Sequence, residues 1–207
     1  GKPLPATVGN NYELGWKSVW HDGRLNTAVA LFRVDQDNTA VNSRQRLNDG
    51  TRRFYWVPLT MRSQGLDAEI SGDITPSLKL FAGYTYNTRK YTATVGNTLK
   101  GDSFNKQTPK HMLRLYTSYR LPGAAEKWTI GGGMNYQSST SSLWGVEQKG
   151  YALFNADVQY KINDQFNVGL ALENITNKRY FENHPTRMNG ANNYLGEPRN
   201  IMLNFRW

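Results

Sequence analysis

Arg44, Arg46, Arg52 and Arg53 stand just ahead of an aromatic triplet, Phe54-Tyr55-Trp56. Guanidinium forks grip anionic oxygens, and flat rings cover organic surface, so the pairing suits an anionic ligand with an apolar shell. A similar mixture recurs at Arg89-Lys90-Tyr91, and Trp144 and Tyr194 lie in polar, loop-like surroundings. A second set comprises the carboxylates Asp67, Glu69, Asp73, Asp157 and Glu173. Their odd-numbered, period-two placement makes them water-facing members of strands, not converging acid–base pairs. His21, His111 and His184 fall near opposite ends of the predicted elements and hold no common metal. No Gly-x-Ser-x-Gly elbow, phosphate loop or His-Glu-x-x-His motif is present, so no catalytic residue is assigned.

The elements that must carry these residues are strands. Alternation of apolar and polar residues predicts nine, over 11–21, 24–36, 61–74, 78–91, 108–121, 127–140, 150–162, 166–173 and 200–207. The last is the plainest: Ile201, Leu203, Phe205 and Trp207 share one face, and Asn200, Met202, Asn204 and Arg206 the other. One face suits hydrocarbon and the other suits water. In 24–36 the facing is ambiguous, because Leu25, Val29 and Leu31 compete with Ala28, Ala30, Phe32 and Val34, and a bulge is expected there.

Composition conceals this pattern. Hydrophobic residues are only 38% of the 207, yet a membrane strand shows lipid every second residue and so dilutes the signal. The aromatic share of 13%, with 12 Tyr and 6 Trp, suits girdles at two membrane interfaces. No run approaches the roughly 18 to 20 apolar residues of a membrane helix. Cysteine is absent, which removes disulfides and thiolate metal sites. The net charge of +9 raises nucleic acid as a partner, but the basic residues neither line a helix nor alternate with aromatics in a binding stripe.

Connection lengths carry the topology. Short ones follow predicted strands one, three, five and seven; long ones follow two, four, six and eight, over 37–60, 92–107, 141–149 and 177–196. That parity is expected of an outer-membrane barrel with short periplasmic turns and long extracellular loops, and a soluble sandwich has no reason to keep it. With their flanks, the long connections carry +2, +4, 0 and +2, which is +8 of the +9. A positive extracellular mouth focuses anions. The parity sends the first strand downward from the extracellular side, and nine is an odd count for a bacterial barrel, so the chain reads as the carboxyl-terminal part of a larger one.

A resemblance agrees with this. Asn174-Ile175-Thr176-Asn177-Lys178-Arg179-Tyr180, then Gly196-Glu197-Pro198-Arg199 and a terminal strand ending in an aromatic, is similar to the carboxyl-terminal signature of TonB-dependent outer-membrane receptors. Upstream, 9–17, Arg24-Leu25-Asn26 with 30–34, and 62–72 resemble barrel repeats of the siderophore-receptor branch. The resemblance implies an all-β, antiparallel transmembrane barrel of about 22 strands around an amino-terminal plug. The chain would be a single region supplying its last nine strands, without the plug. It implies residence in the bacterial outer membrane and TonB-energised uptake of a ferric siderophore, of hydroxamate type. Iron would come only as the wrapped ligand, with no resident cofactor and no metal held by the chain.

On that resemblance, Arg52, Arg53, Tyr55, Trp56, Tyr91, Trp144 and Tyr194 become candidate siderophore contacts in the extracellular loops. Lipopolysaccharide phosphates and loop packing are the competing uses of the same residues. Phe205 and Trp207 become the signal read by the outer-membrane assembly machinery, or an interfacial anchor. Further implied partners are the TonB complex, through the missing amino-terminal region, outer-membrane lipid and lipopolysaccharide. Uptake of haem or cobalamin is the near alternative; an adhesin, an enzyme or a soluble β-sandwich are more distant ones.

Overall fold

The computed structural model describes residues 3–46, 54–95, 98–142, 145–183 and 194–207. The strands are β1 (Val8–Trp20), β2 (Leu25–Arg46), β3 (Phe54–Thr75), β4 (Leu78–Tyr91), β5 (His111–Arg120), β6 (Trp128–Gln137), β7 (Thr140–Ser141), β8 (Glu147–Gln148), β9 (Tyr151–Lys161), β10 (Asn167–Glu173), β11 (Phe181–Asn183), β12 (Tyr194–Leu195) and β13 (Asn200–Arg206). Nine of them form one antiparallel sheet in the order β1-β2-β3-β4-β5-β6-β9-β10-β13. These are the nine strands predicted from alternation. The remaining four make two small hairpins, β7 with β8 and β11 with β12, inside long connections.

Among the described residues the only buried apolar side chains are Leu25, 8% exposed, and Leu59, 4% exposed. A sandwich of two sheets needs an apolar interior between them, so this single layer is not a sandwich. Its apolar face is instead bare: Leu14 is 74% exposed, Trp16 70%, Ile201 68% and Leu203 58%. Lipid is the solvent that such a face requires.

The register arranges that face in rows. Leu14, Leu31, Leu66 and Tyr86 are mutually paired across β1 to β4, as are Trp16, Val29, Ala68 and Tyr84 below them. The next outward row up, Tyr12, Arg33, Gln64 and Thr88, is polar, and the one above it holds Asn10, Asp35, Arg62 and Lys90. The apolar band therefore ends at Leu14 and Tyr86. His111 joins the aromatic edge there, its Nδ1 2.8 Å from the Tyr84 hydroxyl and its ring 4.8 Å from that of Tyr86. At the other edge Trp128 packs on Tyr160 at 4.6 Å.

Short turns close one end. In the first, the Arg24 amide donates to the His21 carbonyl, with φ of 55° at Asp22 and 89° at Gly23, the positive pair that a primed hairpin turn requires. Residues 76–77, 121–127 and 162–166 make the others. The expected parity of connections holds.

Two boundaries differ from expectation. Residues 37–60 read as a long polar loop, but β2 runs on to Arg46 and β3 begins at Phe54, so most of that stretch is paired strand. Ladder bonds come from the backbone, so a hairpin that leaves the bilayer keeps pairing while its side chains turn polar on both faces. The expected bulge is also displaced: β2–β3 pairing is unbroken from Leu25 to Gln36, and the shift falls between Gln36 and Thr39, where Asn38 has φ 59°.

Candidate functional site

The other face of the sheet is the hollowed one. Glu13, Lys17, Asp67, Glu69 and Arg114 line one depression of about 390 Å³, and Asp157, Glu173, Asn204 and Arg206 share a neighbouring one of about 640 Å³. Four of the five carboxylates singled out by their spacing thus share this polar inner face. The fifth, Asp73, lies 3.8 Å from the Lys79 ammonium. Tyr116 crosses β6 on the same face, its hydroxyl donating to Asp157 Oδ1 at 2.9 Å. Glycine makes the crossing possible, because a Cβ on Gly131 would meet both the Tyr116 hydroxyl and the Asp157 carboxylate.

A third hollow, of about 350 Å³, lies at the extracellular end, where β4 rises past the apolar band. Asn87 and Arg89 continue the inner face of Gly83 and Thr85 along an unbroken strand. The segment Ser103–Thr108 and the serines around β7 fold over them, and the Ser141 amide donates to the Lys106 carbonyl at 2.9 Å. The hollow is lined by Arg89, Lys106 and Lys110, with Glu147 the single carboxylate among the described lining residues. Arg89 Nη1 donates to the Thr108 carbonyl at 3.4 Å. Burial lowers the Arg89 guanidinium from its ordinary value, but it stays cationic at any physiological pH.

The candidate ligand residues separate. Arg52, Arg53 and Trp144 lie outside the described residues, as does His184. Tyr55, at the start of β3, is half-buried, and alternation gives it the face of Met61, paired with Tyr91. Tyr91 is half-buried too, with the Phe104 ring 5.6 Å away. Trp56, 55% exposed, follows the opposite face. Tyr194 belongs to the β11–β12 hairpin, paired with Asn183. His21 sits in the β1–β2 turn and His111 at the far end of β5, so the two do not meet. Phe205 is on the lipid-facing side of β13, 6.3 Å from the Phe166 ring, and Trp207 follows the strand. Sequence reading counted Arg89 and the lysines as rim charge but did not gather them, since two separate connections must fold together to do so.

The motif from Asn174 to Arg199 gains a physical reason. Asn174 is buried, in a left-handed backbone with φ 48°. Its amide nitrogen donates to the carbonyls of Lys178 and Glu197, each at 2.9 Å, and its Oδ1 accepts from the Lys178 amide at 2.8 Å. Asn177, φ 50°, accepts the Arg199 amide on Oδ1 at 3.1 Å. Tyr180 lies flat over Gly196, where a Cβ would strike its ring, and stacks 4.7 Å from Tyr151. The two asparagines tie the end of β10 to the start of β13. The arrangement buckles a long connection; it does not catalyse.

The chain resembles known proteins along its whole length. It is 36% identical over 211 residues to the ferric-pyoverdine M114 receptor PbuA of Pseudomonas sp. strain M114, covering 100% of this chain and 25% of that protein. A crystal structure of the ferripyoverdine receptor of the Pseudomonas aeruginosa outer membrane, bound to ferripyoverdine, superposes with a TM-score of 0.81 at 28% identity, covering 100% of this chain and 28% of that one. The ferric-catecholate import receptor Fiu of E. coli K12 superposes with a TM-score of 0.76 at 25% identity, over 98% of this chain and 27% of that one. The chain thus spans about a quarter of the length of the curated relatives it matches. The model of the family described as TonB dependent receptor-like, beta-barrel, matches residues 1–175. A nine-stranded sheet bare on its apolar face, with short turns at one end and a polar inner face, is a piece of such a wall, and the chain belongs to the TonB-dependent receptor family of outer-membrane β-barrels.

Proposed function

We propose that the chain forms the carboxyl-terminal part of the wall of a receptor that takes up a ferric siderophore, of hydroxamate type, with energy delivered through TonB. The observation that carries this reading is the match, over all 207 residues, to proteins named as ferric-pyoverdine receptors. The basic, aromatic extracellular end supports an anionic chelate as ligand, with the iron enclosed in it and no ion held by the wall. The hydroxamate assignment rests on the upstream repeats alone.

In this reading Tyr55 and Tyr91 face the ligand vestibule, with Arg52, Arg53, Trp144 and Tyr194 in the surrounding connections. Trp56 serves the outer surface better than the ligand. That surface also suits lipopolysaccharide: Arg33 and Arg62 both hold Asp35, at 2.6 and 2.7 Å, and Arg33 lies over the Tyr12 ring just above the apolar band. Anionic headgroups would meet this row. Phe205 and Trp207 would present the strand end to the assembly machinery. The plug, and the segment that TonB engages, would belong to other parts of the same receptor.

The test uses the full-length receptor that contains this chain. Purified in detergent, it is titrated with ferric hydroxamate, catecholate and pyoverdine-type siderophores, followed by tryptophan quenching. Cells expressing it are then assayed for radio-iron uptake with and without TonB. Tight quenching by a hydroxamate chelate and TonB-dependent uptake are expected. Preference for a catecholate would overturn the ligand type, and binding of haem or cobalamin alone would overturn the siderophore reading.

A further inference from the structure

Arg89 enters the mouth hollow from the inner face of β4, half-buried, with five N–H donors and one long bond to the Thr108 carbonyl. Among the described residues no carboxylate pairs with it, since the ion pairs there involve Arg33, Arg62, Lys79 and Lys161. A desolvated, unneutralised guanidinium is costly unless an anion completes it. Lys106 and Lys110 line the same hollow, against Glu147 alone, which leaves a local charge of +2. Ser103 and Ser139 line it as well and bring hydroxyls that can donate, whereas the Ser141 hydroxyl is already given to the Ser142 carbonyl at 3.1 Å.

We infer that this hollow is an anion subsite taking a carboxylate arm of a soluble chelate, with Arg89 as the fork and Lys106 and Lys110 as flanking charges. The inference rests on the receptor reading and narrows its ligand. At about 350 Å³ the hollow is at the small end of ligand sites and suits one arm of a chelate. Lipopolysaccharide does not reach it, because Arg89 alternates with Thr88 and Lys90, which face the lipid side.

The probe is citrate, titrated calorimetrically into the full-length receptor in detergent at fixed ionic strength. Saturable binding is expected, weakened at least tenfold in R89Q and intermediate in R89K, which keeps the charge and loses the fork. Lys100→Gln, a basic change in the same connection but outside the hollow, should alter affinity less than twofold. Heat-modifiable migration on gels checks that each variant is folded; if R89Q is not, the K106Q/K110Q double variant carries the test. No saturable citrate binding, an R89Q affinity equal to the parent's, or an equal loss in K100Q each overturns the subsite. Siderophore quenching on the same preparation separates the two readings: quenching without citrate binding removes only the subsite, and citrate binding without any quenching removes only the siderophore assignment.

Discussion

Replacing Asn174 should release the last long connection while leaving the sheet intact. Its side chain makes three hydrogen bonds from a buried position, two donated and one accepted. At a net value of about 1 kcal/mol each, their loss in Asn174→Ala costs about 3 kcal/mol. The left-handed backbone, φ 48°, adds about 1 kcal/mol once asparagine is gone. The effect is local, since the three bonds join β10's end only to Lys178 and Glu197.

Amide hydrogen exchange in the full-length receptor reads this directly. A loss of about 4 kcal/mol corresponds to exchange of the Lys178 amide up to about 1,000-fold faster, with the β9 and β10 ladders unchanged. Asn174→Gly separates the two contributions: it tolerates the backbone but loses the bonds, so about 3 kcal/mol should remain. Asn174→Asp keeps the acceptor for the Lys178 amide yet turns a carboxylate toward two carbonyls, and should be no better than alanine. Less than a tenfold change at Lys178 in both the alanine and glycine variants would refute the reasoning.

Two further outcomes follow from the same geometry. Burial, then the charges of Glu182 and Glu197, raise the Tyr180 hydroxyl above its ordinary value; the unfolded connection therefore loses its proton first, and packing of Tyr180 on Gly196 weakens as pH rises through about 10 toward the folded value. Ultraviolet titration of Tyr180→Phe should lose one phenolate from the late part of the curve; an unchanged titration in that variant would contradict the assignment. Gly131→Val puts a Cβ onto the Tyr116 hydroxyl and Asp157, and should cost about 1–3 kcal/mol in urea refolding of the full-length barrel. Gly132→Ala, whose Cβ would find only the Asn155 carbonyl at 3.6 Å, is the control, and equal losses in both would sink the crossing-tyrosine account.

What could be read in advance follows a physical line. Within the bilayer, each strand residue meets either hydrocarbon or water, so the chemical contrast between Leu14 or Trp16 and Glu13 or Lys17 is written in every step of the alternation. Above the bilayer that contrast vanishes. Residues 37–46 lack a continuous apolar face, and a paired ladder of that composition looks like a polar loop; pairing is a backbone property that side-chain type does not report. The bulge at Asn38 sits at this change of surroundings, directly after Asp37, which continues the outward row of Arg33 and Asp35.

The same line explains the candidate site. Residue type marks Arg and aromatic side chains as candidates for ligand chemistry, but which face they take is settled by parity, and parity is trustworthy only along an unbroken strand. Tyr55 and Trp56 are adjacent and chemically alike, yet one step of the pleat sends them to opposite sides of the wall. Arg89 shows the converse. It lies in an unbroken strand, so its inward direction follows from Gly83, Thr85 and Asn87, but its burial depends on 103–108, 139–141 and Glu147 coming together around it. An isolated arginine among scattered rim charges becomes a half-buried, uncompensated cation only through that closure. In a wall whose described residues form almost no apolar core, that half-buried cation at the mouth is what the proposed subsite rests on.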